Sequence, residues 1–346
     1  MKRIFILYIC LICWVIDFLA QKIFAKRFLN CILSHRVRAG VNPRPNLRIP
    51  HMPLEALLLI LVSAFLQAAL NLLIKGSERK VAFVAGASLI SLILYLPLFI
   101  WGRNLLGEQG FPNSLWLWLG ILTCGGTGMA YYLFIGNAYD RGDLSLVFPV
   151  TRSFGPIFIL IFALILLNEK VSYLGLLGIL ITIFGSYVIH LPSFRLSHLS
   201  LPFKAFKSKA FLFSMCAGAC TATYSLINKK NLEAVEPFTL YYLIIGCITL
   251  FLVMSLLIRK KTNQIKDEIK HNLKNLFLMG FFGFISAALF LYALQMGKVS
   301  YLGSARNISI VFGVILGSLF LQEGYGKIRF FASLLILAGI FLLSLN

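Results

Sequence analysis

The sequence predicts an all-α polytopic membrane protein, with ten transmembrane helices forming two five-helix repeats of inverted orientation. Three observations carry that expectation. The 346-residue chain is 59% hydrophobic and only 13% charged, whereas soluble domains are about 45–50% apolar and about 25% charged. Its apolar residues fall into blocks of roughly 20, the length a helix needs to cross a bilayer core. The chain also resembles itself at an offset of 154 residues. The mean hydropathy is +0.88. No period-2 alternation of the kind a membrane barrel requires is present, so the spans are helices, whose backbone groups are satisfied internally.

The blocks follow one another from Met52 onward. Their predicted limits are Leu54–Ile74, Ala82–Trp101, Leu115–Ala138, Leu146–Leu167, Ser172–Leu191, Ala210–Asn228, Phe238–Ile258, Asn275–Met296, Tyr301–Leu321 and Ile328–Leu345. Most connections are short, which makes consecutive spans antiparallel neighbours. Two are longer, Pro192–Lys209 and Arg259–Lys274. The chain therefore divides into a first repeat over 52–191, a linker over 192–209 and a second repeat over 210–346.

Residues 1–51 stand apart. Ile4–Ala20 is one apolar run, and a basic stretch ending in Asn42-Pro-Arg-Pro follows it. Three readings fit this extension: an extra span, a surface anchor, or a stretch upstream of a native start at Met52. The last is preferred, because the ten-span unit is complete without it.

The self-similarity rests on charged and small residues, since Leu pairs coincide by chance. Lys75 matches Lys229, Arg152 matches Arg306, and Leu167-Asn-Glu169 matches Leu321-Gln-Glu323. Gly126 matches Gly280, and Gly185 matches Gly339. Each copy has five spans, an odd number, so the second must enter the membrane from the opposite side. Such inverted repeats are a common architecture of secondary transporters, with the substrate site near the midplane between the copies.

Two segments also resemble a known family. Gly142-Asp-Leu-Ser-Leu-Val-Phe-Pro-Val-Thr-Arg-Ser-Phe-Gly-Pro156 with Leu166-Leu-Asn-Glu169 looks like the first repeat of EamA-type members of the drug/metabolite transporter superfamily. Val299-Ser-Tyr-Leu-Gly-Ser-Ala-Arg-Asn-Ile-Ser-Ile-Val-Phe-Gly313 with Leu321-Gln-Glu323 looks like the second. The likeness covers about Leu54 to Leu345, with Asn168 and Gln322 standing where the family pattern has Gly. It implies ten helices around a central cavity and a small-metabolite cargo, in the cytoplasmic (inner) membrane of a bacterium. It names no substrate.

Arg152 and Arg306 are the candidate substrate residues. They are the basic residues placed inside apolar blocks of the core, where insertion of Arg at a helix centre costs about 2.5–3.5 kcal/mol. One reading is an anchor that snorkels to the headgroups. The other is a cavity-lining guanidinium whose planar fork binds a carboxylate or phosphate. Pro149 and Pro156 flank Arg152 and are expected to kink that span. Gln67 and Asn71 in the first span match Thr221 and Ser225 in the sixth. Residues four apart share a helix face, so each pair reads as a polar stripe on the cavity wall or as interhelical hydrogen bonding. Tyr131, Tyr132, Tyr292 and Gln295 extend the candidate lining. Glu169 and Glu323 lie 17 residues beyond their arginines, about 25 Å along a helix, and read as helix-end structural residues.

Other chemistries find no support. Cys10 and Cys13 form a CxxC within an apolar run, without the turn or partner ligands that redox or zinc chemistry needs. No metal site, cofactor motif, phosphate-binding loop or hydrolase signature is found, so no enzyme activity is expected. The formal charge of +20 lies between spans, where anionic lipid and topology account for it, and nucleic acid is not an expected partner. As a set, the connections after the odd-numbered spans are the richer in Lys and Arg, placing them in the cytoplasm and both ends of the ten-span core outside.

The expected function is an exporter or exchanger of a small, anionic metabolite working by alternating access. Alternatives are a carrier of lipid-linked or nucleotide-linked sugars, and a non-transporting scaffold or membrane enzyme. Monomer and homodimer both agree with the sequence.

Overall fold

A computed structural model describes residues 53–75, 77–106, 110–139, 141, 144–188, 208–321 and 327–345. The extension 1–51, Glu323 and most of the linker 192–209 lie outside the described residues. All the regular structure among the described residues is helical. The first half contains α1 (Leu54–Lys75), α2 (Lys80–Leu106), α3 (Leu115–Tyr139), α4 (Leu144–Leu166) and α5 (Tyr173–Val188). The second contains α6 (Lys209–Asn231), α7 (Pro237–Ile258), α8 (Asn263–Met296), α9 (Val299–Ala305), α10 (Ile308–Leu321) and α11 (Lys327–Ser344).

Seven of these, α1, α2, α3, α6, α7, α8 and α11, are long and apolar enough to cross a membrane. Thr151–Leu166 of α4 and the whole of α5 are shorter apolar helices. The surface is inverted relative to a soluble protein. Ile93, Leu115, Trp116, Ile165 and Phe341 are exposed, while Ser63, Ser88, Thr182, Ser186, Ser214 and Thr249 are buried. The buried hydroxyls are satisfied largely within their own helices, as in Ser88 donating to the Val84 carbonyl at 2.8 Å and Ser186 to Thr182 at 2.7 Å. A polytopic membrane protein is the class that matches this pattern, because lipid solvates apolar side chains and leaves polar ones to pair inside.

Packing exchanges the two halves. Helix α1 lies against α8 and α10, and α6, its counterpart, lies against α3 and α4; α2 pairs with α7, and α5 with α11. The α1–α8 contact carries reciprocal hydrogen bonds, Ser63 Oγ to the Ser286 carbonyl at 2.6 Å and Ser286 Oγ to the Ser63 carbonyl at 2.8 Å. The α5–α11 contact repeats itself in swapped form. A Cβ on Gly178 would lie 2.8 Å from the Gly339 carbonyl, and a Cβ on Gly185 would lie 3.1 Å from the Ala332 carbonyl. Gly339 is the counterpart of Gly185, and Ala332 that of Gly178, so the two contacts interchange under the 154-residue offset.

One element differs from the sequence expectation. The ninth block, expected as one helix over Tyr301–Leu321, is interrupted at Arg306–Asn307. Bonds of the i→i−3 type take over there, from Asn307 N to Ser304 at 3.0 Å and from Ser309 N to Arg306 at 3.1 Å. The adjacent polar pair Arg306–Asn307 marks the place in the sequence, but the apolar residues on both sides made the block read as one span. In the matching span of the first copy, α4, the helix continues through Pro149 and Pro156. The interruption thus falls in the span without proline.

Candidate functional site

The α9–α10 junction is the centre of the site. Asn307 is buried there and its Nδ2 donates to Ser186 Oγ on α5 at 3.1 Å and to the carbonyl of Arg152 on α4 at 3.4 Å. One side chain thereby ties the junction to the level of Arg152. The adjacent Arg306 is brought within electrostatic range of Arg152, and of Tyr131 and Tyr132 on α3, Tyr224 on α6 and Tyr241 on α7. Arg152 is half-buried, between the buried Thr151 and Ser153.

The Arg306 guanidinium lies over the Phe290 ring of α8, with Cζ 4.0 Å from its centroid. Phe290 is itself buried, and the distance is that of a cation–π contact. The Nε of Arg306 is buried without a hydrogen-bond partner, and no carboxylate pairs with Arg306 among the described residues. Arg306, Tyr132 and Tyr224 are each half-buried and keep some accessible surface. A buried donor left without a partner is costly.

The other candidates are distributed more widely. Gln67 has a buried Oε1 with no partner. It lies one turn beyond Ser63 on α1, with Asn71 half-buried a further turn along. Neither is hydrogen-bonded to Arg306. Thr221 and Ser225 donate to their own helix, to Ala217 at 3.1 Å and Thr221 at 2.9 Å. The Thr221 methyl group lies beside Gly155 of α4.

Tyr292 and Gln295, expected on the same lining, belong elsewhere. Tyr292 donates a short hydrogen bond to the Glu236 carboxylate, and Gln295 donates to the Leu232 carbonyl at 3.3 Å. The cause is Glu236, which caps α7 by accepting from Thr239 N at 2.8 Å and offers its second oxygen to Tyr292. Glu169 sits far from the arginines. It accepts from the amides of Val299 and Ser300, at 2.7 and 3.2 Å, at the start of α9.

Residues that the sequence reading passed over include Phe290, Tyr224, Tyr241 and Asn307. Asn307 offered a signal, an amide directly after an intramembrane arginine. The aromatic residues offered none, since rings are abundant in every span. Lys229 was legible only as a repeat marker. In the fold it donates to the Leu294 and Gly297 carbonyls, at 2.8 and 2.6 Å, closing the C-terminal end of α8.

Helical spans with apolar exteriors and polar side chains paired inside define a polytopic membrane protein. The EamA-like transporter family matches twice, over residues 54–191 and 208–345, and the chain belongs to that family, within the drug/metabolite transporter superfamily. A solved crystal structure of a protein is similar in fold, with a TM-score of 0.59 at 15% identity, over 84% of this chain and 96% of the other. No curated protein sequence matches the chain.

Proposed function

We propose that this protein carries a small anionic metabolite by alternating access, as an exporter or exchanger, and that Arg306 and Arg152 meet the anion in a central cavity. The observation that carries the reading is the buried, unpartnered Nε of Arg306 on a side chain that still reaches accessible space. The planar guanidinium fork, packed over the Phe290 ring, suits a carboxylate or the oxygens of a phosphate. Counting α9 and α10 as one interrupted span, the described residues hold ten helical spans, the number that two inverted five-span repeats require. The exchanged contacts of α1 with α8 and of α6 with α3 support that arrangement. Interrupted helices recur at the midplane sites of such carriers.

Untargeted metabolite profiling of cells with and without the protein, followed by flux measurements in proteoliposomes, tests the reading. The expected cargo is an acid whose transport falls when Arg306 is replaced. A nucleotide-linked sugar in the same profile would select the alternative cargo. A neutral or cationic cargo, carried at an unchanged rate by Arg306→Ala, would refute the proposal.

A further inference from the structure

Helix α8 is 34 residues long. At 1.5 Å per residue it spans about 51 Å, well beyond the roughly 30 Å hydrocarbon core. Its first ten residues are set off from the rest by Asn272, whose backbone is non-helical at φ −125°, ψ 22°. This leading segment is fixed to the connection between α1 and α2. Glu268 is buried and accepts from Ser77 Oγ at 3.4 Å and from Asn272 Nδ2 at 2.8 Å. Asp267 pairs with Arg79, and Ile265 is buried close to Gly86 of α2. The segment therefore lies at the polar boundary where α1 and α7 end and α2 begins.

Its outer surface has two adjoining stripes. Ile269, Leu273 and Phe277 recur every four residues and are exposed, at 40%, 56% and 46%. Phe277 belongs to the part of α8 that enters the apolar zone, so the same stripe continues outward from lipid to boundary. Lys266, Lys270 and Lys274 form the neighbouring stripe, and all are exposed. The turn that precedes them adds exposed Arg259, Lys260 and Lys261 directly after the exposed apolar end Leu257–Ile258. The two local acids do not offset this charge, because Asp267 is already paired and Glu268 faces inward.

We infer that the segment Asn263–Asn272, with the turn Arg259–Lys261, is a docking surface for anionic phospholipid headgroups of the protein's own bilayer. Ile269 and Leu273 would enter the acyl boundary while the lysines reach the phosphates. Charge complementarity and continuity with the lipid-facing stripe of α8 select this occupant. An apolar stripe flanked by lysine is the pattern by which helices bind an anionic interface. The inference concerns the membrane and is independent of the transported cargo.

The test uses the full chain in nanodiscs of phosphatidylcholine, with or without phosphatidylglycerol, so that both faces are open to trypsin. The rate of cleavage after Lys266 and Lys270 is read by mass spectrometry. Phosphatidylglycerol should slow it by about fivefold or more, the effect of a single lysine held at a charged surface, and high salt should remove the protection. Ile269→Ser with Leu273→Ser should lose the protection with an unchanged melting temperature. If that variant does not insert, the parent chain in the two lipids decides alone. Equal cleavage in both lipids would overturn the proposal. So would protection in both lipids that survives high salt, because protein would then be covering the segment.

Discussion

Glu169 holds Ser300 through one carboxylate oxygen, which accepts from the Ser300 hydroxyl at 2.7 Å and from its amide at 3.2 Å. The bonds join the loop after α4, in the first half of the chain, to the first turn of α9 in the second. Lys298 reinforces the joint by donating to the Lys170 carbonyl at 2.6 Å, and Ser172 N donates to Tyr301 Oη at 3.1 Å. A carboxylate at a helix start satisfies amides that have no partner within the helix. Replacing Glu169 with Ala removes at least one charge-assisted bond, at a cost of about 1.5–3 kcal/mol. Glu169→Gln should cost less, since one acceptor oxygen remains. Thermal unfolding in detergent checks this, and unchanged melting in Glu169→Ala would mean that the cap contributes nothing.

The α5–α11 seam gives a sharper stability test. A Cβ on Gly339 would stand 2.7 Å from the Gly178 carbonyl, and a backbone atom cannot rotate away. Gly339→Ala should destabilise by about 1–3 kcal/mol, the range for overpacking. Gly126→Ala is the control, because nothing lies within 4 Å of its new methyl group. That change should be neutral or slightly stabilising, as Ala is the better helix former. Similar melting of the two variants would show that α5 and α11 do not approach as closely as described.

Substitutions at the arginines separate a binding role from a packing role. Arg306→Ala should lower transport efficiency by about tenfold or more, corresponding to loss of a charge-assisted hydrogen bond. Arg306→Lys keeps the charge without the fork and should fall between Ala and the parent, with Arg152→Lys weakened as well. Phe290→Leu removes the ring under Arg306, a contact of about 0.5–2 kcal/mol, and should weaken transport without removing it. Each variant is first checked for insertion. Wild-type flux in both Arg→Ala variants would leave the pair a merely structural one.

Orientation is tested at Lys266, which is exposed at the start of α8. The distribution of basic residues places it in the cytoplasm. A cysteine at that position should therefore resist a membrane-impermeant thiol reagent in intact cells and react once the cells are opened. Labelling in intact cells would reverse the assignment.

Much of the molecule is legible without coordinates, because lipid imposes simple rules on sequence. A helix that must bury its backbone polar groups and expose apolar side chains writes itself as a block of about 20 residues. A duplicated unit also leaves its charged residues in register. Arg152 and Arg306 were visible for that reason. Asn168 shows a finer correspondence. It occupies a left-handed conformation at φ 49° just before Glu169, a position that suits Gly and that Asn tolerates better than most residues.

Hydropathy could not reveal which faces converge. The polar pair Arg306–Asn307 was visible inside the ninth block, but not that the helix breaks there, and the two prolines lie in the span that stays helical. Tyr292 and Tyr132 look alike in sequence, but a capping carboxylate holds the hydroxyl of one while the other packs edge-on against Tyr131. Apolar blocks and repeat register follow from local composition, and they determined that this chain is a duplicated helical membrane protein. The unpartnered Nε of Arg306, its Phe290 contact and the tie from Asn307 to α4 depend on residues far apart in the chain, so only the tertiary packing of helices decided them.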